Sequence, residues 1–545
     1  MLNLKSVYFY FLATKINFIL LFRKIYLRTN RYNKSLNSKA PEKLYFYPSP
    51  LLLSSFTNQK DFSFKVSEVN PEFFWSNKNN KKLINNFLWL NLIDRKNDGL
   101  IIQKIIKKWI DINKNYKKVI WDDSIINKRI ISWILNADII LKNTNIFFKE
   151  EFFTSLIKQV NHLKKSINFE NDYSKKIKIL CTILLTGLVF KEYFNNYKNN
   201  LKELEKLISI FFDKDGFPLN YNPEQLLDLT KYLILIKECI SDAQQLVPDY
   251  LENIIEKNIN CIRSISSSNY ELPLFNGSKL RSTKEFLGLV DKLKYPQRKK
   301  KNKVGNIQII KYKKNLIHFD IGSPPKKSFS QYYQSGPLSF EYYFENEKVI
   351  TNCGYGDNIS KKAVLLSRLT SAQSTLCIND TSVAKFERNK IINNAFGDSI
   401  KTNFKVSDFE YEENQSTVIS SASHDAYKND FDCIHSREIK IDKKENIIFG
   451  KDKIMKEQSS KILKFNIFFH LFPGISAVPT LGGESILIHM MKNKSLIFKS
   501  PGQNIYVEKS IFLGGNKILN NLCINLSGNI HKDCKIINWE ISRTF

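Results

Sequence analysis

Three carboxylates that are close together in the sequence, Asp213, Asp215 and Glu224, are the first candidates for chemistry in this chain. Two carboxylates on opposite sides of a glycosidic bond can cleave it by hydrolysis when a defined distance separates them. The sequence indicates no such separation for these three residues. Hydrolysis by a carboxylate pair is therefore the least favoured of three functional hypotheses.

The cysteines form neither a metal-ligand pattern nor a disulfide pattern. No two of them make a CxxC pair, and their spacing is irregular. Structural zinc sites and small disulfide-bonded scaffolds both need such patterns. We expect neither from Cys181, Cys239, Cys261, Cys353, Cys377, Cys433, Cys523 and Cys534.

The segment from Gln334 to Asn358 has the pattern of two strands joined by a tight turn and closed by glycines. Its polar residues are amides, such as Gln334 and Asn352, and include no imidazole. Amides can hold the hydroxyl groups of a sugar, or they can bond to one another at the end of a sheet. Both interpretations stay open at this point.

Arg368 is a candidate for binding an anionic ligand. Its guanidinium presents parallel donors that match a carboxylate in a groove. The alternative is an ordinary ion pair at the end of a strand. We predict Arg368 to be a substrate-binding residue.

The elements that must position these residues differ between the two halves of the chain. From about Lys81 to Leu293 the apolar residues recur at helical spacing, as in KRIISWILNADIIL, KIKILCTILLTGLVF and EQLLDLTKYLILIKECI. Short breaks make consecutive helices antiparallel, and a long series closes into a bundle or a toroid whose hollow can hold a chain-like ligand. We predict an all-α domain over residues 81–295, after a basic, apolar lead-in at 1–80.

After the lysine-rich run RKKKNK at 298–303, which we interpret as a solvated linker, the hydrophobic period changes to two. Stretches such as GNIQIIKYKKNLIHFDIG and HSREIKIDKKENIIFGKDKI alternate apolar and polar residues between turn residues. Regularly spaced strands with no helical interruption predict an antiparallel β-sandwich over residues 305–545. The fold class is thus α+β and multidomain.

The charge of the chain points to an acidic partner. Lys and Arg number 83 against 53 Asp and Glu, for a net charge of +30. The lysines are scattered, and no arginine-rich helix, zinc-finger spacing or RNP-like strand is present to read bases. We therefore expect an acidic polymer other than nucleic acid.

The first 31 residues are apolar and basic, but Lys15 interrupts the apolar run and no small-residue cleavage site follows it. The pattern secures neither a signal peptide nor a spanning helix. An amphipathic segment that lies on a membrane, or packs on the domain behind it, is the interpretation that remains.

Several motifs carry a resemblance to a known family. In the second half they are LSFEYYFENEKVITNCG, RLTSAQSTLCIND, SHDAY, HSREIKI, FHLFPGISA and SIFLGG; in the first half they are KRIISWILNADIIL, DKDGFPLNYNPEQLLDL and LPLFNG. The sequence resembles the heparinase II/III-like family of bacterial polysaccharide lyases, in which these motifs occur in the same order. The resemblance spans roughly Lys81 to Trp539. It implies an N-terminal (α/α)-toroid followed by a C-terminal antiparallel β-sandwich.

The resemblance implies β-elimination at a uronic acid, without a cofactor. One group neutralises the C5 carboxylate, a base removes the C5 proton, and an acid protonates the departing glycosidic oxygen. An acidic polysaccharide is then the expected partner, and the cell envelope or periplasm the expected location.

The resemblance also implies site residues in the helical half. Asn171 matches an amide that neutralises the carboxylate, with a helix cap as its alternative role. After the turn Asp215-Gly216, Asn220 stands near a glutamate position and Gln225 near a tyrosine position, so Tyr221 would supply the phenol from a shifted position. The alternative for Tyr221 is packing. We predict Asn171 and Tyr221 to be catalytic and Asn220 to bind substrate.

In the second half, Gln334, Asn352 and Gln373 occupy positions where the resemblance implies histidines or other metal ligands. In some lyases such positions hold zinc. Amide oxygens are poor zinc ligands, so we expect no metal here and predict Gln334 and Gln373 to bind substrate. His424 in SHDAY is the implied acid or base, although a strand histidine is more often a hydrogen-bonded structural residue.

Two hypotheses remain ahead of hydrolysis. The first is a lyase on a uronate-containing polysaccharide, which architecture, motif order and charge favour. The second is a non-catalytic glycan-binding or envelope-assembly protein that kept the groove and lost the chemistry, which Pro218 and the amides Gln225, Gln334 and Gln373 favour.

Overall fold

Helices fill the first half of the chain and antiparallel strands the second, so the predicted architecture of a helical toroid followed by a β-sandwich is confirmed. The structure, a computed structural model, describes residues 4–57, 70–72, 74–76, 81–456, 462–492, 494–531 and 533–544. Domain bounds at 81–295 and 305–545 stay a prediction.

The helices have the following bounds: α1 Leu4–Tyr26, α2 Asn30–Lys34, α3 Lys81–Asn85, α4 Gly99–Ile112, α5 Asp123–Leu135, α6 Ala137–Ile140, α7 Ile146–Ser166, α8 Tyr173–Val189, α9 Phe194–Phe211, α10 Pro223–Asp242, α11 Asp249–Ile265, α12 Lys284–Lys292, α13 Lys361–Ser367, α14 Lys390–Phe396 and α15 Lys428–Phe431. Helices α5, α8 and α10 are almost wholly buried along their apolar faces. Side chains from the lead-in, among them Tyr32 and Leu53, belong to the same hydrophobic core.

The strands are β1 Lys303–Val304, β2 Ile307–Tyr312, β3 Asn315–Asp320, β4 Phe340–Phe344, β5 Glu347–Thr351, β6 Leu376–Ile378, β7 Val406–Glu413, β8 Thr417–Tyr427, β9 Cys433–Asp442, β10 Ile447–Lys456, β11 Leu463–Leu471, β12 Ser476–Pro479, β13 Ser485–His489, β14 Ser495–Lys499, β15 Asn504–Phe512, β16 Leu519–Ile530 and β17 Cys534–Arg543. Among the described residues, one sheet has the order β1-β2-β3-β4-β5-β11-β16-β15, with β6 beside β11. The second has the order β12-β13-β14-β17-β10-β9-β8-β7.

The two sheets share one core. The ring of Phe340 in the first sheet stacks on Trp539 of the second at 5.5 Å between centroids. The expectation of strands without helical interruption is wrong, because α13, α14 and α15 lie between strands of this half. Each is seven residues or fewer, too short for a periodic signal.

Helix α1 packs on α14 of the sandwich half. The rings of Phe9 and Phe396 stack at 4.6 Å, and Ala13 is buried beside Ala395. The opposite face of α1 leaves an aromatic stripe exposed that includes Phe11, Phe18 and Phe22. No helix in the described residues is long and apolar enough to cross a membrane.

Hydrogen bonds from the loop between α11 and α12 join the two halves. The backbone N–H of Leu274 donates to Glu341, and that of Gly277 donates to the side-chain oxygen of Gln334. Glu341 also pairs with Lys348 at 3.0 Å in a fully buried ion pair. We call the surface where the halves meet the domain junction.

Candidate active site at the domain junction

The starts of α8 and α10 present the candidate residues of the helical half. Asp172 caps α8 by accepting a hydrogen bond from the backbone N–H of Ser174, and Asn222 caps α10 by accepting from Gln225. Pro223 occupies the first helical position of α10, as its fixed φ favours. These caps place Asn171 and Tyr221 immediately before two helices that pack together.

Residues Lys326–Gln334, which we call the crossing segment, lie across these helix starts. The hydroxyl of Tyr332 donates to Asp172 Oδ2 at 2.7 Å. The ring of Phe329 packs at 5.4 Å from that of Tyr173. Burial and the nearby Asp172 carboxylate hold the pKa of Tyr332 well above its usual value, so its phenol stays protonated. A phenol and a carboxylate from different halves thus form one hydrogen-bonded pair.

Arg368 holds the crossing segment in place. Its guanidinium donates to the carbonyl oxygens of Tyr333 and Ser330 at 3.0 and 3.2 Å and lies 3.9 Å from the ring centroid of Phe386. Arg368 is buried. The predicted binding residue is therefore at the junction, with its donors on backbone carbonyls.

The two candidate asparagines also lie at the junction. Asn171 Nδ2 donates to the carbonyl of Ala395 at 2.9 Å, so it links α8 to α14. Asn220 Nδ2 donates to Gln225 Oε1 at 2.6 Å. Asp172, Asn220 and Tyr332 line one small cavity of about 10 Å³.

Tyr221 has a left-handed backbone, with φ of 57°. Such a conformation in a residue other than glycine is strained and is concentrated at functional sites. Its side chain is half-buried, and its hydroxyl has no hydrogen-bond partner among the residues that the structure describes. Burial, followed by the carboxylates of Asp320 and Asp213, raises the pKa of Tyr221, which makes its phenol a proton donor.

Asp320 is a buried carboxyl group near Tyr221. Its Oδ1 accepts hydrogen bonds from Asn306 Nδ2 and the backbone N–H of Gly322. Burial raises the pKa of Asp320 to about 7, against these two hydrogen bonds. The folded state therefore holds a proton here that the unfolded chain releases near pH 4.

We expect the Asp320→Asn variant to show the consequence of this shift. The wild-type protein loses stability as the pH rises from about 4 through 7, because the folded state must give up that proton. Asparagine keeps the Oδ1 acceptor and does not ionise, so the variant should exceed wild type by about 4 kcal/mol at pH 8 and match it near pH 4. Denaturant unfolding at both pH values measures this, with exposed Asp380→Asn as control. An equal difference at both pH values would contradict it.

A group of cations extends from these helix starts along the helical half. Glu224, Asp228 and Lys231 share one face of α10, at i, i+4 and i+7. Lys178 Nζ of α8 lies 3.4 Å from Asp228 Oδ2, and Lys231 Nζ lies 3.7 Å from Asp228 Oδ1. Burial opposes ionisation of Asp228, but these lysines hold its pKa below its usual value.

Three more cations complete the group. Lys128 of α5 is near Asp228, and burial and the neighbouring cations lower its pKa. Arg281 Nε donates to Glu224 Oε1 at 2.8 Å, and Lys279 Nζ lies 3.7 Å from Glu224 Oε2. We call Lys128, Lys178, Lys231, Lys279 and Arg281 the basic cluster. Lys279 Nζ also donates to Asp357 Oδ1 at 2.8 Å, so three carboxylates, Asp228, Glu224 and Asp357, face five cations, and positive charge is in excess among these groups.

The predicted amides of the sandwich half form one buried network. Gln334 Nε2 and Gln373 Nε2 both donate to the carbonyl of Ser367, at 2.7 and 2.9 Å. Asn352 Oδ1 accepts from the backbone N–H of Ser374 at 2.8 Å. The exposed fraction of Gln334 and of Gln373 is 2%. These amides join the loops of the junction to one another.

His424 lies inside the sandwich rather than in the junction cavity. Its Nδ1 accepts from the backbone N–H of Ala426, so its Nε2 donates to His435 Nδ1 at 3.1 Å. His435 Nε2 in turn donates to Asp452 Oδ1 at 2.7 Å. Burial, then His435 and Arg437, hold the pKa of His424 well below its usual value, so the ring is neutral.

Arg437 connects this chain to the junction. It donates through Nε to Asp452 at 2.8 Å and through one terminal nitrogen to the carbonyls of Leu338 and Ser374. Those carbonyls belong to the loops that carry Gln334 and Gln373. We call His424, His435, Asp452 and Arg437 the buried relay.

Sequence reasoning missed Tyr332, Asp320 and most of the buried relay. One signal was available for the relay. His435 and Arg437 are polar residues at the alternate positions of β9 that face the core, where apolar residues are expected. Tyr332 gave no such signal, because Asp172 is 160 residues away from it in the sequence.

Comparisons with known proteins agree with this architecture. Residues 296–540 match the family model described as heparinase II/III-like, C-terminal. A crystal structure of heparinase III superposes with a TM-score of 0.65 at 13% identity, covering 90% of this chain and 79% of that one. The heparan sulfate lyase HepC from Pedobacter heparinus gives 0.59 at 14% identity, covering 90% and 81%. At this identity the likeness shows a shared fold. No curated protein matches the sequence.

Proposed function

Because residues 296–540 match the heparinase II/III-like family model, we propose that the protein is a polysaccharide lyase that cleaves a uronate-containing polysaccharide by β-elimination at the domain junction. The observation that carries this proposal is the basic cluster, whose partner Glu224 lies in the first turn of α10, the helix that Tyr221 precedes. An acidic chain bound along the cluster would place its uronates beside Tyr221 and Tyr332.

In the proposed reaction, the Tyr332 oxygen takes the C5 proton while its own proton passes to Asp172, its partner at 2.7 Å. The electrons of the C5–H bond form the C4–C5 double bond, and the bond from C4 to the glycosidic oxygen breaks. Tyr221 protonates that oxygen, because its raised pKa keeps the phenol protonated. Solvent then removes the proton from Asp172 and returns one to Tyr221, so the enzyme is restored without a cofactor.

The remaining predicted residues have supporting roles in this proposal. Asn171, at the positive end of α8, donates to the uronate carboxylate when it leaves the carbonyl of Ala395. Asn220 binds a sugar hydroxyl from the start of α10 when its Nδ2 leaves Gln225 Oε1, because the cavity of about 10 Å³ that it shares with Tyr332 is too small for a sugar ring. Gln334, Arg368 and Gln373 act as positioning residues, because their donors hold the loops around the site.

His424 is also proposed as a positioning residue. Enclosure in the sandwich keeps its ring from a substrate, whereas the buried relay fixes the loops that carry Gln334 and Gln373. This role differs from the acid or base that the resemblance implied.

Removing two cations of the basic cluster tests the substrate class. We expect Lys178→Gln with Lys231→Gln to weaken binding of heparan sulfate about tenfold in 0.1 M salt, from about 0.7 kcal/mol for each partly exposed charge. The salt dependence of binding should become shallower. The matched control is Lys444→Gln with Lys451→Gln, two exposed lysines of the sandwich. Equal affinities of the two double variants would contradict the proposal.

A specific observation favours a second candidate function, binding of glycans without cleavage. The amides Gln334 and Gln373 are buried and bonded to a carbonyl at positions where the resemblance implies catalytic or ligand residues. A protein that holds acidic glycans during envelope assembly would need the basic cluster and no proton transfer. Binding without elimination distinguishes this function from the first.

We further propose a cell-envelope or periplasmic location with peripheral membrane contact. The exposed aromatic stripe of α1 supports this contact, together with basic residues such as Arg23 and Lys24 at the end of the helix.

A further inference from the structure

A second basic cavity opens where the end of α11 and the linker before β1 meet strands β2, β3 and β7. It has a volume of about 190 Å³, roughly that of six water molecules. Three serines and three lysines line it, together with other residues: Ser264, Ser266, Ser268, Lys300, Lys301 and Lys311. None of them belongs to the basic cluster or to the pairs of the candidate active site.

The lysines of this cavity have unequal surroundings. Lys301 Nζ pairs with Asp215 at 2.8 Å. Lys300 and Lys311 have no carboxylate partner within ion-pair distance among the residues that the structure describes. The carboxylate at the cavity wall, Glu413, already forms an ion pair with Lys443 at 3.1 Å and accepts a hydrogen bond from the hydroxyl of Tyr411 at 3.0 Å. Two cations of the cavity are therefore left without a counter-ion.

The ammonium groups of Lys300 and Lys311 repel each other. Burial, followed by repulsion from Lys311 and Arg263, lowers the pKa of Lys300. An anion between the two ammonium groups would remove this repulsion. Ser268 adds a hydroxyl with no partner in the described part of the chain, whereas Ser264 and Ser266 already donate to carbonyls of α11.

A smaller cavity of about 30 Å³ continues this basic surface. Lys311 and Ser268 line both cavities, and Lys313 and Lys314 line the smaller one. Lys314 pairs with Glu345. The surface is thus elongated and polar, and Lys313, like Lys300 and Lys311, has no carboxylate partner within ion-pair distance among the described residues.

We propose that the Lys300–Lys311 cavity is a binding site for an oxyanion group of an acidic saccharide, such as a sulfate. Two ammonium groups and a hydroxyl supply the donors that such a group accepts, and the volume leaves room for part of the attached sugar. Its lining residues differ from those of the cavity beside Tyr332, so it would hold a second portion of the polymer or a neighbouring chain. The proposal does not require that the protein cleave its ligand.

The test is titration calorimetry in the full-length Lys178→Gln/Lys231→Gln background, which weakens binding at the basic cluster. A sulfated heparan disaccharide and sodium sulfate are titrated separately at constant ionic strength. We expect Lys300→Gln and Lys311→Gln each to weaken disaccharide binding at least tenfold, with Lys451→Gln unchanged. Both lysines are exposed enough for the variants to fold, which circular dichroism checks.

Two outcomes would overturn this inference. Equal disaccharide affinity in Lys300→Gln, Lys311→Gln and Lys451→Gln would show that the cavity is not the site. Sodium sulfate that binds as tightly as the disaccharide, with the same loss in the variants, would assign the cavity to a free oxyanion rather than to a saccharide. Neither result bears on elimination, because turnover is not the readout.

Discussion

Replacing Asp452 with alanine is expected to lower the free energy of unfolding by about 3–5 kcal/mol. Asp452 accepts hydrogen bonds from Arg437, His435 and the indole N–H of Trp539, and all of these side chains are buried. Arg437 and His435 hold the pKa of Asp452 below its usual range, against the effect of burial. Removal of the carboxylate leaves a guanidinium without a counter-charge in the core, which is the costly case for a buried ion pair.

Denaturant unfolding measures this loss against a matched exposed pair. Asp430→Ala, which breaks the exposed pair with Lys385, should cost at most about 1 kcal/mol. The double variant Asp452→Leu with Arg437→Met should recover much of the loss, because no unpaired charge then remains. A cost for Asp452→Ala no larger than that for Asp430→Ala would contradict the role of the buried relay.

Replacing Tyr221 or Tyr332 with phenylalanine is expected to lower kcat for elimination by about 10²–10⁴-fold. Each substitution removes a hydroxyl that the mechanism uses for proton transfer and preserves the ring that packs at the junction. The KM should change little, since binding comes from the basic cluster. Steady-state kinetics on the preferred polymer measures both constants.

Tyr506→Phe is the matched control, because Tyr506 is an exposed tyrosine of β15 outside the junction. It should retain wild-type kcat and KM. If Tyr221→Phe retains wild-type kcat, Tyr221 is not the acid. If Tyr332→Phe retains wild-type kcat, the hydrogen bond between Tyr332 and Asp172 serves only to hold the crossing segment in place.

Much of the fold was predictable because its signals are local. The helical spacing of EQLLDLTKYLILIKECI and the cap Asn222-Pro223 correspond to α10, Pro223–Asp242. The alternation of LSFEYYFENEKVITN corresponds to the hairpin of β4 and β5. In both cases the pattern and the turn or cap chemistry lie within about twenty residues of one another.

The arrangement of the site was less predictable because it depends on contacts between distant residues. Arg437 faces Asp452 through the register of β9 and β10, and sequence alternation does not fix a register. The sequence predicted Gln334, Arg368 and Gln373 to bind substrate but could not indicate that their donors face backbone carbonyls. Tyr332 reaches Asp172 only through the packing of the two halves.

The most direct test of the account is ultraviolet absorbance of the unsaturated uronate that β-elimination creates. Purified protein is incubated with alginate, heparan sulfate, chondroitin and bacterial surface polysaccharides. We expect an absorbance rise on at least one polymer and none with Tyr221→Phe on that polymer. No rise on any polymer, alongside measurable binding to one of them, would contradict the lyase proposal and favour a glycan-binding protein.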